Sequence, residues 1–178
     1  MEFLSADALE RARRVRLVVF DVDGVLTDGR LWYGPHGEAL KAFHAFDGHG
    51  VKMLQQAGLR TALLSGRDMP AVLERARELA IAHVLQGVQD KRRAFEALLR
   101  RLRVARGAAA YMGDDVVDLG VLSRCGLACA PREAPEAVRS VAHCVPSAPA
   151  GGGAAREVCE FILEAQGKLA RLLRRYRR

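Results

Sequence analysis

Residues 16–29 of the chain read Arg-Leu-Val-Val-Phe-Asp-Val-Asp-Gly-Val-Leu-Thr-Asp-Gly. The apolar run from Leu17 to Phe20 lies between charged and turn-forming residues, which is typical of a short strand buried on both faces of a parallel sheet. Asp21 and Asp23 follow where this strand ends. Two carboxylates in such a place are costly to bury unless a cation lies beside them. They therefore indicate either a divalent-metal site or an ordinary turn cap.

The composition predicts one soluble domain. The chain has 178 residues, of which 50% are hydrophobic, enough to form a substantial core. No apolar run could cross a bilayer, and the N-terminus carries acidic residues where a secretion signal carries basic ones. We therefore expect a cytoplasmic protein without membrane insertion. The four cysteines lack CxxC spacing and are expected to be reduced core residues. A zinc site of Cys125, Cys129, His143 and Cys144 is the alternative.

The net charge of +7 does not by itself predict nucleic-acid binding. Much of the excess positive charge lies near the two ends of the chain. The aromatic residues, 6% of the chain, are not interleaved with the basic ones as a base-stacking surface requires. We expect no nucleic-acid partner, and we interpret residues 166–178 as a basic C-terminal tail that is solvated or docks on a partner.

Strands and helices alternate along the chain. We predict strands at 17–20, 61–64, 83–85, 108–112, 126–130 and 142–145, and helices at 1–14, 48–56, 70–80, 91–102, 116–125, 134–140 and 154–165. The insertion at about residues 29–46 contains the turn Gly34-Pro35-His36-Gly37, which indicates a β-hairpin. The pattern predicts an α/β fold over residues 1–165, a doubly wound parallel sheet with helices on both faces.

Polar residues follow three of the predicted strands. The groups concerned are Asp21, Asp23, Ser65, Gly66, Asp114 and Asp115, together with Lys91 at a helix start. Ligands of parallel sheets bind beyond the carboxyl ends of the strands, so these groups should converge. Carboxylates suit Mg²⁺, whereas a hydroxyl, a backbone N–H and an ammonium group suit phosphoryl oxygens. The combination predicts phosphoryl transfer.

Four motifs occur in order, namely Asp21-Val-Asp23-Gly24-Val-Leu-Thr27, Ser65-Gly66-Arg67, Lys91 and Gly113-Asp114-Asp115-Val-Val-Asp118. They resemble the signatures of the haloacid dehalogenase superfamily in its phosphatase branch. The resemblance implies a Rossmann-like domain in which Asp21 forms an aspartyl-phosphate and Asp23 is the general acid and then the base. It also implies that Ser65 and Lys91 hold the phosphoryl group. The implied Mg²⁺ ligands are the side chains of Asp21 and Asp114 and the backbone carbonyl of Asp23, supported by Asp115 and Asp118.

The short insertion narrows the resemblance to the branch without a cap domain. The segments Phe43-His44-Ala45-Phe46-Asp47-Gly48-His49-Gly50 and Gly152-Gly153-Ala154-Ala155-Arg156-Glu157-Val158-Cys159-Glu160 are similar to sugar acid phosphatases of that branch. The resemblance implies a homotetramer in which hairpins pack at the centre and a neighbouring subunit walls each site. It also implies Mg²⁺-dependent hydrolysis of 3-deoxy-D-manno-octulosonate 8-phosphate, on the way to lipopolysaccharide.

The same resemblance implies which residues contact the sugar acid phosphate. They are His44, Ala45, Phe46, Asp47, Gly48, Lys52, Gly66, Arg67 and Arg75. Cationic side chains suit the phosphate and carboxylate of this substrate, although Arg75 also fits a solvated helix face. Phe46 stands where the family usually has arginine, and Lys52 and Gly120 stand where arginine and proline are usual. Two alternatives therefore remain: a phosphatase for a nine-carbon, sialic-acid-like sugar acid 9-phosphate, and a non-catalytic oligomeric binding module.

Overall fold

A mostly parallel β-sheet forms the centre of the computed structural model, which describes residues 1–177. The strands are β1 (Phe3–Leu4), β2 (Leu17–Phe20), β3 (Trp32–Gly34), β4 (Gly37–Leu40), β5 (Arg60–Leu64), β6 (His83–Leu85), β7 (Ala109–Met112), β8 (Leu127–Cys129) and β9 (Cys144–Val145). Within the described residues the sheet has seven strands in the order β1-β9-β8-β7-β2-β5-β6, and β3 and β4 form a separate hairpin. Neighbouring strands of the sheet run parallel except β1, which is antiparallel to β9.

Helices cover both faces of the sheet. They are α1 (Ala8–Arg14), α2 (Ala45–Gln56), α3 (Pro70–Glu78), α4 (Lys91–Leu102), α5 (Leu119–Leu122), α6 (Glu136–Arg139), α7 (Ala154–Ala165) and α8 (Leu169–Arg175). One core cluster takes buried side chains from α1, α2, α3 and α7, and the other takes them from α4, α5 and α6. This arrangement confirms the predicted doubly wound α/β fold. In the part of the chain that the structure describes, no helix combines the length and apolarity needed to cross a membrane.

The central strand β2 is buried along its whole length. Val18 and Phe20 belong to one core cluster, and Leu17 and Val19 belong to the other, because successive side chains of a strand point to opposite faces. Each large apolar side chain that is fully buried contributes about 1.5–3 kcal/mol to stability. The strand lies between β5 and β7, so the residue that follows it, Asp21, lies in the middle of the carboxyl edge.

The structure corrects the prediction of a helix over residues 1–14. Phe3 and Leu4 form the edge strand β1 and pair with Val145 and Cys144 of β9. The helix begins only at Ala8. A two-residue edge strand is set by its distant partner and leaves no periodic pattern in the sequence, which is why this strand was missed.

The predicted helix over residues 116–125 is also shorter than expected. A 3₁₀ turn covers Val116–Asp118, and α5 covers only Leu119–Leu122. The turn begins with the Asp115 carboxylate accepting the backbone N–H of Val116 at 2.7 Å, and the Asp118 carboxylate turns back to accept the Asp115 N–H at 3.2 Å. Side chains of the fourth motif therefore shape this turn.

The C-terminal segment contains a helix. Leu172 of α8 is 4% exposed and belongs to one core cluster. Part of the predicted basic tail therefore packs on the domain. Arg178, the last residue of that tail, lies outside the described residues.

The four cysteines are free and buried, in agreement with the predicted reduced state. Nδ1 of His143 accepts the backbone N–H of Ala128 at 2.8 Å, so this ring is engaged with the backbone. Among residues 1–177, only aspartates come together in a geometry that could hold a metal ion. The alternative zinc site is therefore not formed.

Candidate active site

Buried acidic side chains gather at the carboxyl end of β2. Asp21 is 5% exposed; its Oδ1 accepts the Val22 backbone N–H at 2.6 Å, and its Oδ2 accepts a hydrogen bond from Lys91 Nζ at 2.5 Å. Burial alone would lower the pKa of Lys91, but the charges of Asp21 and Asp118 raise it. The Asp21 carboxylate is thus held in one orientation between the backbone and a buried cation, as the predicted nucleophile requires.

Asp118 supports this site with both of its oxygens. Oδ1 accepts hydrogen bonds from Lys91 Nζ at 2.8 Å and from the Tyr111 hydroxyl at 2.6 Å. Oδ2 accepts the backbone N–H groups of Asp114 at 3.1 Å and Asp115 at 3.2 Å. This geometry suits the supporting role predicted for Asp118. Tyr111 was missed in the sequence because it lies within an otherwise apolar strand and gives no separate signal.

The acidic cluster fits a divalent cation. Asp21, Asp114 and Asp118 each place a carboxylate oxygen within 4.8 Å of the others. Burial, and next the charge of Asp118, raises the pKa of Asp21 to about 7. Burial, and next the charge of Asp21, raises the pKa of Asp114 to about 7. These shifts reflect negative charge that Lys91 alone does not balance, and hard oxygen ligands suit Mg²⁺.

Among the three carboxylates, Asp21 and Asp114 are the ones that fit as metal ligands. Each Asp118 oxygen already accepts two hydrogen bonds, from Lys91 and Tyr111 or from two backbone N–H groups, whereas each Asp21 oxygen accepts one from the described residues. The contribution of the Asp23 backbone carbonyl stays a prediction.

Gly24 makes room for one of these carboxylates. Its φ is +72°, and a Cβ at this position would overlap the side chain of Asp114. Thr27 Oγ1 accepts the N–H groups of Gly24 at 3.3 Å and Gly29 at 3.2 Å, which fixes the loop. A side chain at position 24 would therefore strain the backbone and displace the Asp114 carboxylate.

Ser65 brings a hydroxyl to the same edge of the sheet. It follows β5, which runs parallel to β2 with Phe20 paired to Leu63. Ser65 is 1% exposed, and its Oγ accepts the Arg67 backbone N–H at 3.1 Å. Gly66 between them is exposed. The Ser65 hydroxyl is thereby oriented and keeps its proton free to donate to a phosphoryl oxygen.

Asp23 is paired with residues of the hairpin segment. Lys41 Nζ donates to Asp23 Oδ1, and also to Glu38 Oε1 at 2.6 Å. Arg67 donates to Glu38 Oε2 at 3.4 Å. Lys41 and Glu38 were missed in the sequence, since they lie in the insertion and outside all four motifs.

The predicted substrate contacts do not all lie beside the aspartates. A pocket of about 170 Å³ is lined by Ala45, Gly48, His49, Lys52, Arg75, Glu78 and Leu79. A separate pocket of about 470 Å³ is lined by Gly24, Asp28, Gly29, Asp114, Asp115, Glu133, Ala134, Pro135, Pro149 and Ala150. Ala45, Gly48, Lys52 and Arg75 therefore line a different pocket from the one that Asp114 lines.

Arg75 and His44 have partners within the chain. Arg75 donates to Glu78 Oε2 at 2.7 Å and to the His44 backbone carbonyl at 3.3 Å. His44 caps α2, with its Nδ1 accepting the Phe46 backbone N–H at 3.3 Å. Phe46, which stands where arginine was expected, is 66% exposed. These contacts fasten the start of α2 to α3 and leave the Phe46 ring in solvent.

Asp47 fastens α2 to the C-terminal helix. It is 1% exposed; Oδ1 accepts the Arg156 backbone N–H at 2.8 Å, and Oδ2 accepts the Gly153 N–H at 3.2 Å. Burial raises the pKa of Asp47, although these N–H donors oppose the rise. Its carboxylate therefore caps the N-terminus of α7.

A larger cavity lies elsewhere. It measures about 950 Å³ and is lined by Arg13, Arg14, Val15, Arg16, Arg60, Arg103, Val104, Ala105, Ala108, Ala165, Gln166 and Lys168. Arg16 and Arg60 lie at the N-terminal ends of β2 and β5, at the edge opposite to Asp21. Cavity size therefore does not single out the candidate site; the buried carboxylates beside Lys91 do.

Comparisons with known proteins agree with this geometry, although no family model matches the chain. The chain is 40% identical over 166 residues to the 3-deoxy-D-manno-octulosonate 8-phosphate phosphatase KdsC of Escherichia coli (strain K12), covering 93% of this chain and 88% of that protein. The crystal structure of the 3-deoxy-D-manno-octulosonate 8-phosphate phosphatase of Moraxella catarrhalis with magnesium, phosphate and KDO has a TM-score of 0.94 and 35% identity, over 97% of this chain and 99% of that one. A probable YrbI family phosphatase of Pseudomonas syringae has a TM-score of 0.95 and 45% identity, over 98% and 99% of the two chains.

The doubly wound sheet, with a buried aspartate, the lysine paired with it and a second acidic loop at one edge, defines a phosphatase of the haloacid dehalogenase superfamily. The resemblance predicted from the four motifs is therefore confirmed. Within this class, the chain belongs to the 3-deoxy-D-manno-octulosonate 8-phosphate phosphatase (KdsC) family.

Proposed function

We propose that the chain hydrolyses 3-deoxy-D-manno-octulosonate 8-phosphate to the sugar acid and inorganic phosphate, in the synthesis of lipopolysaccharide precursors. The observation that carries this proposal is the Asp21 carboxylate, held 2.5 Å from Lys91 Nζ and clustered with Asp114. The substrate is the one for which the KdsC relatives are named.

In the first half of the reaction, an Asp21 oxygen attacks phosphorus and forms an aspartyl-phosphate. The bond from phosphorus to the sugar oxygen breaks, and its electron pair goes to that oxygen. The Asp23 carboxylic acid donates its proton to the departing oxygen, so the sugar leaves as a neutral alcohol.

In the second half, water attacks the phosphorus of the aspartyl-phosphate. The Asp23 carboxylate accepts the proton of the attacking water, and the bond between phosphorus and the Asp21 oxygen breaks. Asp21 returns to a carboxylate, Asp23 to a carboxylic acid, and phosphate is released.

Fixed donors hold the phosphoryl group during both steps. The Lys91 ammonium, buried beside Asp21, balances negative charge, and the Ser65 hydroxyl donates to a phosphoryl oxygen. When bound by Asp21 and Asp114, Mg²⁺ supplies positive charge that stabilises the charge developing on the phosphoryl group.

The proposed substrate contacts are those predicted from the resemblance. Arg67 and Gly66 follow Ser65 directly, which supports contact with the phosphoryl group. His44 caps α2, Ala45, Phe46, Asp47, Gly48 and Lys52 lie on α2, and Arg75 lies on α3. Because a pocket on this side is separate from the pocket of Asp114, these residues suit a site completed between subunits.

A homotetramer in which the hairpins pack at the centre is part of the proposal. Trp32, Tyr33 and Leu40 of the hairpin are 53%, 66% and 66% exposed. Exposed apolar side chains on a two-stranded ribbon, which is marginally stable alone, favour burial against another subunit. Light scattering of the wild type and of Leu40→Glu tests this: we expect a tetramer that the substitution dissociates, and a monomeric wild type would contradict it.

We also propose a cytoplasmic location. The four buried cysteines are free, which fits a reducing compartment.

A second candidate substrate is a nine-carbon, sialic-acid-like sugar acid 9-phosphate. It is carried because Phe46, whose exposed ring offers no cation where the family usually has arginine, changes a predicted substrate contact. Both sugar acids carry a carboxylate, so the missing cation weakens recognition of either and does not by itself select the eight-carbon acid.

The substrate assignment is tested by phosphate release from the eight-carbon sugar acid phosphate, its nine-carbon analogue and neutral sugar phosphates, each with Mg²⁺ and with chelator. We expect chelator-sensitive turnover that favours the eight-carbon acid. Phe46→Arg serves as the matched variant and should lower KM for that acid. Preference for the nine-carbon acid or for neutral sugars would overturn the substrate assignment.

A further inference from the structure

Lys41 connects the hairpin segment to the catalytic loop. It follows β4 directly, and its side chain has no exposed surface. Its Nζ donates to Asp23 Oδ1 and, at 2.6 Å, to Glu38 Oε1. Among residues 1–177, no other side chain or backbone group donates a hydrogen bond to the Asp23 carboxylate. The orientation of Asp23 therefore depends on a residue of the insertion.

The charges around Lys41 keep it ionised. Burial alone would lower the pKa of Lys41, but the hydrogen bonds that it donates to Asp23 and Glu38 raise it. Glu38 is held in turn, since its side chain is 7% exposed and also accepts from Arg67 at 3.4 Å. A buried ammonium group with two carboxylate partners is costly to remove and stays in one place. Lys41 therefore offers the Asp23 carboxylate a hydrogen-bond donor that stays in one position.

We propose that Lys41 is a positioning residue that holds the Asp23 carboxyl group in place for proton transfer to the leaving oxygen. The hairpin is then part of the catalytic apparatus in addition to any role between subunits. This inference rests on the proposed phosphatase function and deepens it.

Asp23 must be held in place because a proton is transferred only over a short distance. A general acid acts within hydrogen-bond distance of the atom that it protonates, about 2.6–3.2 Å. Asp23 lies in a loop, and its side chain is 22% exposed, so without the Lys41 contact the carboxyl group can turn into solvent. Misplacement of a catalytic group by about 1 Å costs up to about 100-fold in rate.

The leaving group distinguishes positioning of the acid from a general structural role. The alcohol of a sugar phosphate leaves poorly as an alkoxide and needs the proton of Asp23 as the bond breaks. The p-nitrophenolate ion is stable near neutral pH and leaves without it. Loss of the Lys41 contact should therefore slow the first half-reaction selectively for alkyl phosphates.

The experiment measures the first half-reaction of Lys41→Met with enzyme in excess, using the sugar acid phosphate, glycerol 3-phosphate and p-nitrophenyl phosphate. We expect alcohol release to slow about 10- to 100-fold for the two alkyl phosphates and less than about threefold for p-nitrophenyl phosphate. Lys41→Arg, which keeps a cation, should recover part of the loss. Arg30→Met is the matched control, because Arg30 is 77% exposed and, within residues 1–177, forms its salt bridge with Asp28 alone; it should change none of the rates.

An equal loss for all three substrates would show a structural role and overturn the proposal, as would a change confined to KM or no change at all. If Lys41→Met does not fold, Glu38→Gln provides the second variant. This variant loosens the attachment of Lys41. It should slow alcohol release less than Lys41→Met does, and again more for the alkyl phosphates than for p-nitrophenyl phosphate. If the wild type hydrolyses glycerol 3-phosphate but not the sugar acid phosphate, the proposed substrate fails, while the leaving-group comparison still decides the role of Lys41.

Discussion

Replacing the nucleophile should stabilise the protein in the absence of metal, and Asp21→Asn tests this. Burial, and next the charge of Asp118, raises the pKa of Asp21 from 3.8 to about 7. Between these values the folded state binds more protons at Asp21 than the unfolded state does, so the free energy of unfolding falls as pH rises. At about 1.4 kcal/mol for each pKa unit, the ionised carboxylate costs the folded protein up to about 4 kcal/mol above pH 7.

Asparagine removes this charge and keeps an oxygen that can accept the Val22 N–H. The free energy of unfolding of Asp21→Asn, relative to that of the wild type, should therefore increase by about 1–3 kcal/mol between pH 5 and pH 8. The assay is urea unfolding in chelator at both pH values. Asp68→Asn, at an exposed position, is the control and should show no such growth. An advantage that is independent of pH, or that shrinks as pH rises, would refute the reasoning.

Three further predictions follow from the site and its surroundings. Mg²⁺ should raise the melting temperature more at pH 8 than at pH 5, because protons compete with the metal for Asp21 and Asp114, whose pKa values are raised to about 7. Equal shifts of the melting temperature at the two pH values in scanning fluorimetry would contradict this. Gly24→Ala should lower kcat at least about tenfold and weaken Mg²⁺ binding in calorimetry, because the new Cβ overlaps Asp114. Gly107→Ala, where the new Cβ meets open space, should leave kcat and Mg²⁺ binding unchanged. Unchanged Mg²⁺ binding in Gly24→Ala would refute the overlap. Asp47→Ala should lower the free energy of unfolding by about 1–3 kcal/mol in urea, because the buried N–H groups of Gly153 and Arg156 lose their acceptor; an unchanged midpoint would refute this capping role.

Most strands of the sheet could be predicted, because apolar runs and turn residues that are close together in the sequence mark them. The apolar run of β2, the strand and helix alternation, and the bounds of α4 and α7 agree with the prediction. The strand β1 could not be predicted, because its two residues gain their structure only by pairing with β9. The turn Val116–Asp118 was misjudged as helix because carboxylates of the site override helical propensity there.

For the site, the sequence predicted the residue types that follow each strand. The pairing of Asp23 with Lys41, and of Asp118 with Tyr111, could not be predicted, because both depend on contacts between segments that no motif connects. The contacts of α7 could not be predicted either, although its bounds were. Asp47 of α2 caps this helix and several of its side chains are buried, so a chain that ends at Gly152 should unfold.

The central claim is that Asp21 carries the phosphoryl group during turnover. It is tested most directly by rapid acid quench of the enzyme with ³²P-labelled 3-deoxy-D-manno-octulosonate 8-phosphate, followed by borohydride reduction and peptide mapping. We predict label that turns over within the catalytic cycle and reduction of residue 21 to homoserine, with neither event in Asp21→Asn. Label on another residue, or phosphate release at the wild-type rate by Asp21→Asn, would contradict the account.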